Sequence, residues 1–137
     1  MPRRSRTPAR PAACPCGSGA AYAACCGRFH SGAAKAPTAE ALMRSRYSAF
    51  AVGDEAYLLR TWHPETRPER LDLAADARTW TGLEILEATG GTPLHTTGTV
   101  RFRAHFTDAD GPGSQTENSV FERLGGDWLY VDALAIE

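Results

Sequence analysis

Four cysteines stand within thirteen residues near the start of the chain, at Cys14, Cys16, Cys25 and Cys26, and the sequence contains no others. Thiolate sulfur is a soft ligand, and four thiolates surround Zn²⁺ as a tetrahedron with Zn–S distances of about 2.3 Å. A shell closed by four thiolates leaves no position for water, so an ion held in this way is structural and not catalytic. The cysteines therefore predict one structural zinc site.

The spacing of these cysteines is tighter than in most zinc motifs. A C-x-C pair and a C-C pair must clasp the ion, and Gly17 and Gly19 supply the backbone freedom for the turn between them. Two disulfides or a redox-active thiol pair are the alternatives, but adjacent Cys25 and Cys26 bridge one another only with strain, and no C-x-x-C is present. Metal binding in a reducing cytoplasm is the better interpretation, with His30 as an alternative ligand.

The cysteine segment is too short to fold by burying apolar surface alone. We place this module at residues 14–30, between a disordered basic leader at residues 1–13 and a linker at residues 31–37. Zinc binding supplies about 10–16 kcal/mol of apparent folding free energy to small domains of this kind. Residues 38–137 are long enough to form a separate domain.

Charge is distributed unevenly along the chain. Residues 1–38 hold six basic and no acidic side chains, a charge of +6, and the net charge of −1 for the whole chain leaves −7 for the rest. The asymmetry predicts that the N-terminal part contacts an anionic macromolecule or a protein, with a solvated basic tail as the alternative. No apolar run is long enough to cross a bilayer, so we expect no membrane span. The basic side chains are Arg3, Arg4, Arg6, Arg10, Arg28 and Lys35.

Helical signals begin at Thr38, a suitable N-cap residue, and continue with apolar residues at i, i+4 and i+7 up to Gly53. Asp54 can cap a second, shorter helix that runs to Trp62 and is stopped by the following His-Pro. A third helix is expected over residues 68–78, with Leu71, Ala74 and Ala75 as its apolar face.

The apolar period changes to two after Trp80, which indicates strands. Alternation is clearest from Val100 to Phe106, and two further strands are expected over residues 117–123 and 128–134, joined by a Gly-Gly-Asp turn. Helices followed by antiparallel strands predict an α+β domain in which the helices pack on one face of a curved sheet.

Two stretches of sequence resemble known families. Cys-Pro-Cys-Gly-Ser-Gly at residues 14–19, followed by a tyrosine and Cys-Cys-Gly at residues 25–27, resembles the SEC-C motif. Residues 42–50, the Thr-Trp-His-Pro at residues 61–64 and the Trp-Thr-Gly-Leu at residues 80–83 resemble the YchJ-like family. The resemblance implies a nuclear-transport-factor-2-like cone for the second domain, and it implies no established reaction.

A cone of this type leaves a cavity between helices and sheet, which is a natural ligand site. Polar or aromatic residues that alternate with apolar ones are the candidates for its lining. We expect Arg46, Tyr47, Trp62, His63, Trp80, Arg103, Glu117 and Trp128 there, and His105, Ser119 and Tyr130 as further candidates.

Each candidate has a functional and a structural interpretation. His63 or His105 paired with Glu117 would make an acid and base, but a histidine before proline can simply cap a helix, and His105 alternates with core residues and should face solvent. The tryptophans can serve as core anchors. Arg46 lies among apolar residues, so if buried it needs a carboxylate, for which we predict Glu117 or Asp132.

Two functions fit these patterns. The first is a zinc-binding interaction or adaptor protein whose basic module docks on a macromolecule while the cone serves as scaffold. The alternative is a small-molecule-binding protein or enzyme that uses the cavity of the cone. No phosphate-binding glycine loop, nucleophile elbow or dinucleotide fingerprint occurs in the sequence, which favours the first.

Overall fold

The computed structural model describes residues 13–136, in which three α-helices precede a four-stranded antiparallel sheet. The helices are α1 (Cys26–His30), α2 (Ala39–Val52) and α3 (Glu55–Arg60), with 3-10 turns at Tyr22–Ala24 and Leu73–Ala75. The strands are β1 (Thr79–Gly90), β2 (Thr97–Asp108), β3 (Gly111–Leu124) and β4 (Asp127–Ile136). The predicted α+β order is confirmed. Of the leader predicted over residues 1–13, residues 1–12 lie outside the described part of the chain, and Ala13 belongs to the ordered module, since it pairs with Ala21.

Helix α2 begins and ends at the residues that the sequence indicates. The side chain of Thr38 accepts a hydrogen bond from Ala41 N at 3.0 Å, and Gly53 takes the left-handed conformation that ends the helix, with φ 79°. Asp54 caps α3 by accepting from Tyr57 N at 3.1 Å. These residues set where α2 begins and ends and where α3 begins.

Helix α3 is shorter than predicted, because it ends at Arg60 and the chain then joins the sheet. Trp62 forms a parallel bridge with Tyr130, His63 N donates to Tyr130 O at 2.7 Å, and Tyr130 N donates to Thr61 O at 2.8 Å. Pairing with β4 satisfies the backbone groups that another helical turn would have used.

The predicted helix over residues 68–78 is wrong: the structure has only the 3-10 turn Leu73–Ala75 in an otherwise irregular segment. Ala74 and Ala75 are exposed, so a helix here would have had too little apolar surface to bury. The segment is attached through individual contacts, among them Leu71 N donating to Glu55 Oε2 at 3.1 Å.

The sheet is a meander in the order β1-β2-β3-β4, with every neighbouring pair antiparallel. Gly125 and Gly126, both with positive φ, connect β3 to β4 as predicted. Register shifts interrupt β1 twice and the β3–β4 pairing twice. Such irregularities bend a sheet, and the curved sheet wraps around α2.

The inner face of the sheet and one face of α2 form the main core. The core contains buried apolar side chains of α2 and of strands β2, β3 and β4: Ala39, Leu42, Met43, Tyr47, Val100, Ala104, Phe121 and Trp128. On the opposite face, Glu84 lies beside Arg103 and His105.

Within the described residues, no helix has the length and apolar character that spanning a bilayer requires.

Candidate metal centre and cavity

The four cysteines converge on one point. The sulfur atoms of Cys14, Cys16, Cys25 and Cys26 all lie within 4.8 Å of one another. The Sγ atoms of Cys16 and Cys25 are 3.7 Å apart. A tetrahedron whose arms are Zn–S bonds of about 2.3 Å has edges of about 3.8 Å, so this spacing is that of ligands around one ion. The residues are positioned to hold a metal.

Short local structures hold the cysteines in place. Cys14 follows Ala13, which pairs with Ala21 in an antiparallel bridge, and Cys26 begins α1. Gly17 has φ 81° and Gly19 has φ 87°, conformations that glycine adopts readily, so the loop turns back between the two cysteine pairs. The predicted need for glycine in this turn is confirmed.

The sulfur cluster is enclosed by its own loop and by α2. Cys14, Cys16 and Cys26 are at most 5% exposed. Ser18 Oγ lies 3.2 Å from Cys25 Sγ, and Ser48 Oγ of α2 lies 3.5 Å from Cys14 Sγ. Hydroxyl groups beside the sulfur atoms can stabilise thiolate ligands. Three of the four cysteines are thus buried, Cys25 is half-buried, and hydroxyl groups lie beside two of the sulfur atoms.

Close packing of the thiols shifts their pKa values in opposite directions. The hydrogen bond with Cys26 lowers the pKa of Cys16 to about 4, and the same bond raises the pKa of Cys26. Burial raises the pKa of Cys25. The cluster therefore favours at least one thiolate, which is the form that binds metal.

The cysteine module packs directly on the second domain. The ring of His30 lies between Tyr22 OH, 2.5 Å from Nδ1, and Ser45 O of α2, 2.8 Å from Nε2. Because a carbonyl oxygen only accepts, Nε2 donates to Ser45 and Nδ1 accepts from Tyr22. Both ring nitrogens are thus used for docking, and the prediction that His30 is an alternative metal ligand is wrong.

Two arginines strengthen the same junction. Arg44 of α2 donates from Nη1 to Cys16 O at 3.0 Å, and Arg60 donates from Nη2 to Phe29 O at 3.1 Å and His30 O at 2.9 Å. The predicted linker at residues 31–37 is itself packed, since Ala36 contacts the core. The module and the domain therefore share one continuous set of contacts.

Replacing His30 by alanine is expected to lower the free energy of unfolding by about 2–3 kcal/mol, because Ser45 O and Tyr22 OH lose buried partners. His95, in an exposed turn, provides the matched control, and its alanine variant should lie within about 0.5 kcal/mol of the parent. Urea denaturation of both variants measures the difference. Equal stability of the two variants would show that the docking contact is not formed in solution.

Comparisons with known proteins agree with this architecture. A family model described as the SEC-C motif matches residues 10–28, and one described as the middle NTF2-like domain of YchJ matches residues 38–133. The chain belongs to the YchJ-like family. The resemblance read from the sequence and the expected NTF2-like fold are both confirmed.

Relatives of the YchJ-like chain cover nearly its whole length. A UPF0225 protein of Streptomyces coelicolor is 61% identical over 119 residues, 87% of this chain and 92% of that protein. Another from Streptomyces avermitilis is 57% identical over 136 residues, 95% of this chain and 94% of that protein. The solution structure of a SEC-C motif containing protein from Rhodopseudomonas palustris has a TM-score of 0.79 and 32% identity, covering 90% of this chain and 98% of that one.

The YchJ-like domain contains a cavity of about 250 Å³ between α2 and the inner face of the sheet. Five of the predicted lining residues are there, namely Arg46, Tyr47, Trp62, Trp80 and Glu117, together with the further candidates Ser119 and Tyr130. The prediction missed Arg78 and Gln115, which also line it. Gln115 lies two residues before Glu117 on β3, so strand alternation would have found it.

Three predicted lining residues lie elsewhere. Trp128 is buried in the core and donates from Nε1 to Pro37 O at 3.2 Å. The side chain of Arg103 lies on the outer face of the sheet, where its Nη1 is 3.6 Å from Glu84 Oε1. His63 is buried outside the cavity, with Nε2 3.4 Å from Glu122 Oε1.

The predicted pairing of a histidine with Glu117 is also not present. The carboxylate beside His63 is that of Glu122. His105 lies on the outer face as expected, with its Nε2 2.6 Å from Glu84 Oε1. Glu117 Oε2 instead accepts hydrogen bonds from Ser119 and, at 3.4 Å, from Tyr130. The arrangement supplies no histidine acid or base to the cavity.

Arg46 is 5% exposed and lies at one end of the cavity. Its Nη1 donates to Leu58 O and to Thr61 Oγ1, both at 2.7 Å. Its Cζ is 5.0 Å from the ring centre of Trp62 and 4.6 Å from that of Tyr130. These groups stabilise the cation, although burial lowers the pKa of Arg46 to about 10.

The predicted ion pair of Arg46 with Glu117 or Asp132 is not formed in the described part of the chain. Aromatic rings and a backbone carbonyl take the place of a carboxylate partner. Glu117 still acts on Arg46 at longer range, since its charge raises the pKa of the guanidinium against the effect of burial. Burial and the charge of Glu117 together raise the pKa of Tyr130.

Proposed function

We propose that this chain is a zinc-stabilised interaction protein, in which Cys14, Cys16, Cys25 and Cys26 hold one structural Zn²⁺. The observation that carries the proposal is the mutual approach of the four sulfur atoms to within 4.8 Å, with one pair at 3.7 Å. Four sulfur ligands in a tetrahedral arrangement favour zinc over harder ions. A reducing cytoplasm, where thiols stay available to metal, suits such a site.

A structural ion makes the module rigid and keeps it on the domain. The loop between the cysteine pairs and helix α1 contribute few apolar side chains of their own, so the ion supplies the stability that the module needs. No water position remains in a shell of four thiolates, and the zinc therefore takes no part in hydrolysis.

The partner that charge favours is an anionic macromolecule. Residues 1–38 carry +6, and a zinc ion with four thiolates adds −2, which leaves about +4. Arg28 is exposed at the surface of the module. Tyr22 and Phe29, the aromatic residues of the module, are at most 8% exposed and pack inside it, so they are not offered for base stacking. Binding should therefore depend on charge and not on base sequence.

Binding of the full chain to a fluorescently labelled oligouridylate is expected to weaken as salt rises. The slope of log K against log salt should be about −0.7 for each basic side chain that contacts a phosphate, and as steep as about −4 if all six of residues 1–38 do so. Arg28→Gln should make the slope shallower by about 0.7, because one cation is lost. Arg101→Gln, on the outer face of the sheet, is the matched control and should leave the slope unchanged. Fluorescence anisotropy at several salt concentrations measures both.

Binding that is insensitive to salt, or no binding at low salt, would contradict the charge-based proposal. An equal effect of the Arg28 and Arg101 variants would place the contact outside the module. Neither result would alter the zinc site, which elemental analysis tests separately.

A further inference from the structure

The cavity of the YchJ-like domain has hydrogen-bonding atoms that the fold does not use. Nη1 of Arg46 is occupied by Leu58 O and Thr61 Oγ1, whereas Nε and Nη2 make no hydrogen bond within residues 13–136. Oε2 of Glu117 accepts from Ser119 and Tyr130, whereas Oε1 accepts none from the same residues. The cavity therefore offers a donor group and an acceptor group that are available to a ligand.

Aromatic rings line the same cavity as these two groups. Trp62 meets Tyr130 edge to face at 5.0 Å, and Trp80 meets Tyr47 at 6.1 Å, all four lining the cavity. Aromatic surfaces of this kind favour flat, unsaturated ligands. The volume of about 250 Å³ lies below that of sites for drug-sized molecules, so the ligand is a small ring system.

The charges of the cavity select for a neutral ligand. Arg46 contributes one positive charge and Glu117 one negative charge, and the second cation, Arg78, is neutralised by Asp76 at 2.9 Å. A ligand with a single charge would be attracted by one of these groups and repelled by the other, so little net attraction would offset the cost of removing its charge from water. A neutral ring with its own donor and acceptor satisfies both residues.

We infer that the cavity binds a neutral, planar nitrogen heterocycle that presents a ring N–H next to a carbonyl, the class to which oxopurine bases belong. Glu117 Oε1 accepts from the ring N–H, Arg46 donates to the carbonyl, and the aromatic walls contact the ring faces. The inference is independent of the zinc module, because no cysteine lines the cavity.

The three tryptophans make a direct test with the full, zinc-loaded chain. Trp62 and Trp80 line the cavity, whereas Trp128 is buried outside it with its indole N–H bonded to Pro37 O. In ¹H–¹⁵N spectra, hypoxanthine should shift the indole signals of Trp62 and Trp80 saturably and leave that of Trp128 in place. Unsubstituted purine, which has no carbonyl, should bind at least about tenfold more weakly.

A pair of glutamate variants assigns the contact. Glu117→Gln replaces the carboxylate by a weaker acceptor of the same shape and should weaken hypoxanthine binding about tenfold. Glu84→Gln removes the same charge from the outer face of the sheet and should leave the affinity within about twofold of the parent. The unchanged Trp128 signal shows in each case that the domain is folded.

Several results would overturn the inference. Hypoxanthine that shifts none of the tryptophan signals, or all three equally, shows that it does not bind in the cavity. Purine binding as tightly as hypoxanthine shows that the cavity selects only for flatness. Benzoate binding more tightly than hypoxanthine shows that the cavity selects for an anion. Equal affinities of the Glu117 and Glu84 variants show that Glu117 takes no part.

Discussion

A Cys25→Ser/Cys26→Ser variant should contain no zinc, whereas the parent, purified without chelator, should contain one zinc per chain. The two replaced sulfur atoms are half of the ligand set, and the remaining pair, Cys14 and Cys16, cannot complete a tetrahedral shell. Since structural zinc contributes about 10–16 kcal/mol of apparent folding free energy, residues 14–30 should lose their ordered structure in the variant. Elemental analysis and titration of free thiols measure these changes directly.

The effect of zinc loss on the rest of the chain should be smaller. The main core of α2 and the sheet contains none of the cysteines, so the YchJ-like domain should stay folded without the ion. It should melt at a lower temperature, because α2 loses the contacts from Ser45 O to His30 and from Arg44 to Cys16 O. Circular dichroism of parent and variant during heating measures the difference.

Ser18→Ala is the control for the metal site. Ser18 Oγ lies 3.2 Å from Cys25 Sγ, but the residue is not one of the four sulfur ligands. Its alanine variant should retain one zinc per chain, with a somewhat weaker affinity from the loss of a supporting hydroxyl. A folded parent that contains no zinc and has four titratable thiols would refute the metal site itself.

The parts of the fold that the sequence predicted well are those determined by neighbouring residues. The caps at Thr38, Asp54 and Gly53 act within one helical turn, and all three are present in the structure. Alternation from Val100 to Phe106 needs only the geometry of an extended strand. The helix predicted at residues 68–78 failed because its formation depends on tertiary burial, which its exposed alanines could not provide.

The same distinction, between local and long-range determinants, explains which site residues could be predicted from the sequence. The four cysteines are close in sequence, so their clustering could be inferred without a fold. The cavity is assembled from α2, Trp62 after the end of α3, and all four strands, so its lining depends on packing between distant segments. The wrong prediction that Arg103 lines the cavity was avoidable, since the alternation that directs Phe102 inwards directs Arg103 outwards. The aromatic partners of Arg46 were not predictable, because Tyr130 reaches it from β4.

Phe121→Ala is expected to destabilise the domain by about 3–5 kcal/mol, a large part of the stability of a small domain. Phe121 is 1% exposed in the main core on the inner face of the sheet, with its ring centre 5.8 Å from that of Tyr130. Truncation removes apolar contacts and enlarges the adjoining cavity, because strands β2 to β4 are held by their ladders and cannot close the space. The midpoint of urea denaturation should fall accordingly.

Leu134→Ala provides the comparison, because Leu134 lies on β4 but is 64% exposed. Its loss should change stability by no more than about 0.5 kcal/mol. The two variants should differ greatly in stability only if the inner face of the sheet is packed and the outer face is solvated. Equal losses would mean that the outer face is also buried in solution, as it would be if a second protein molecule covered it.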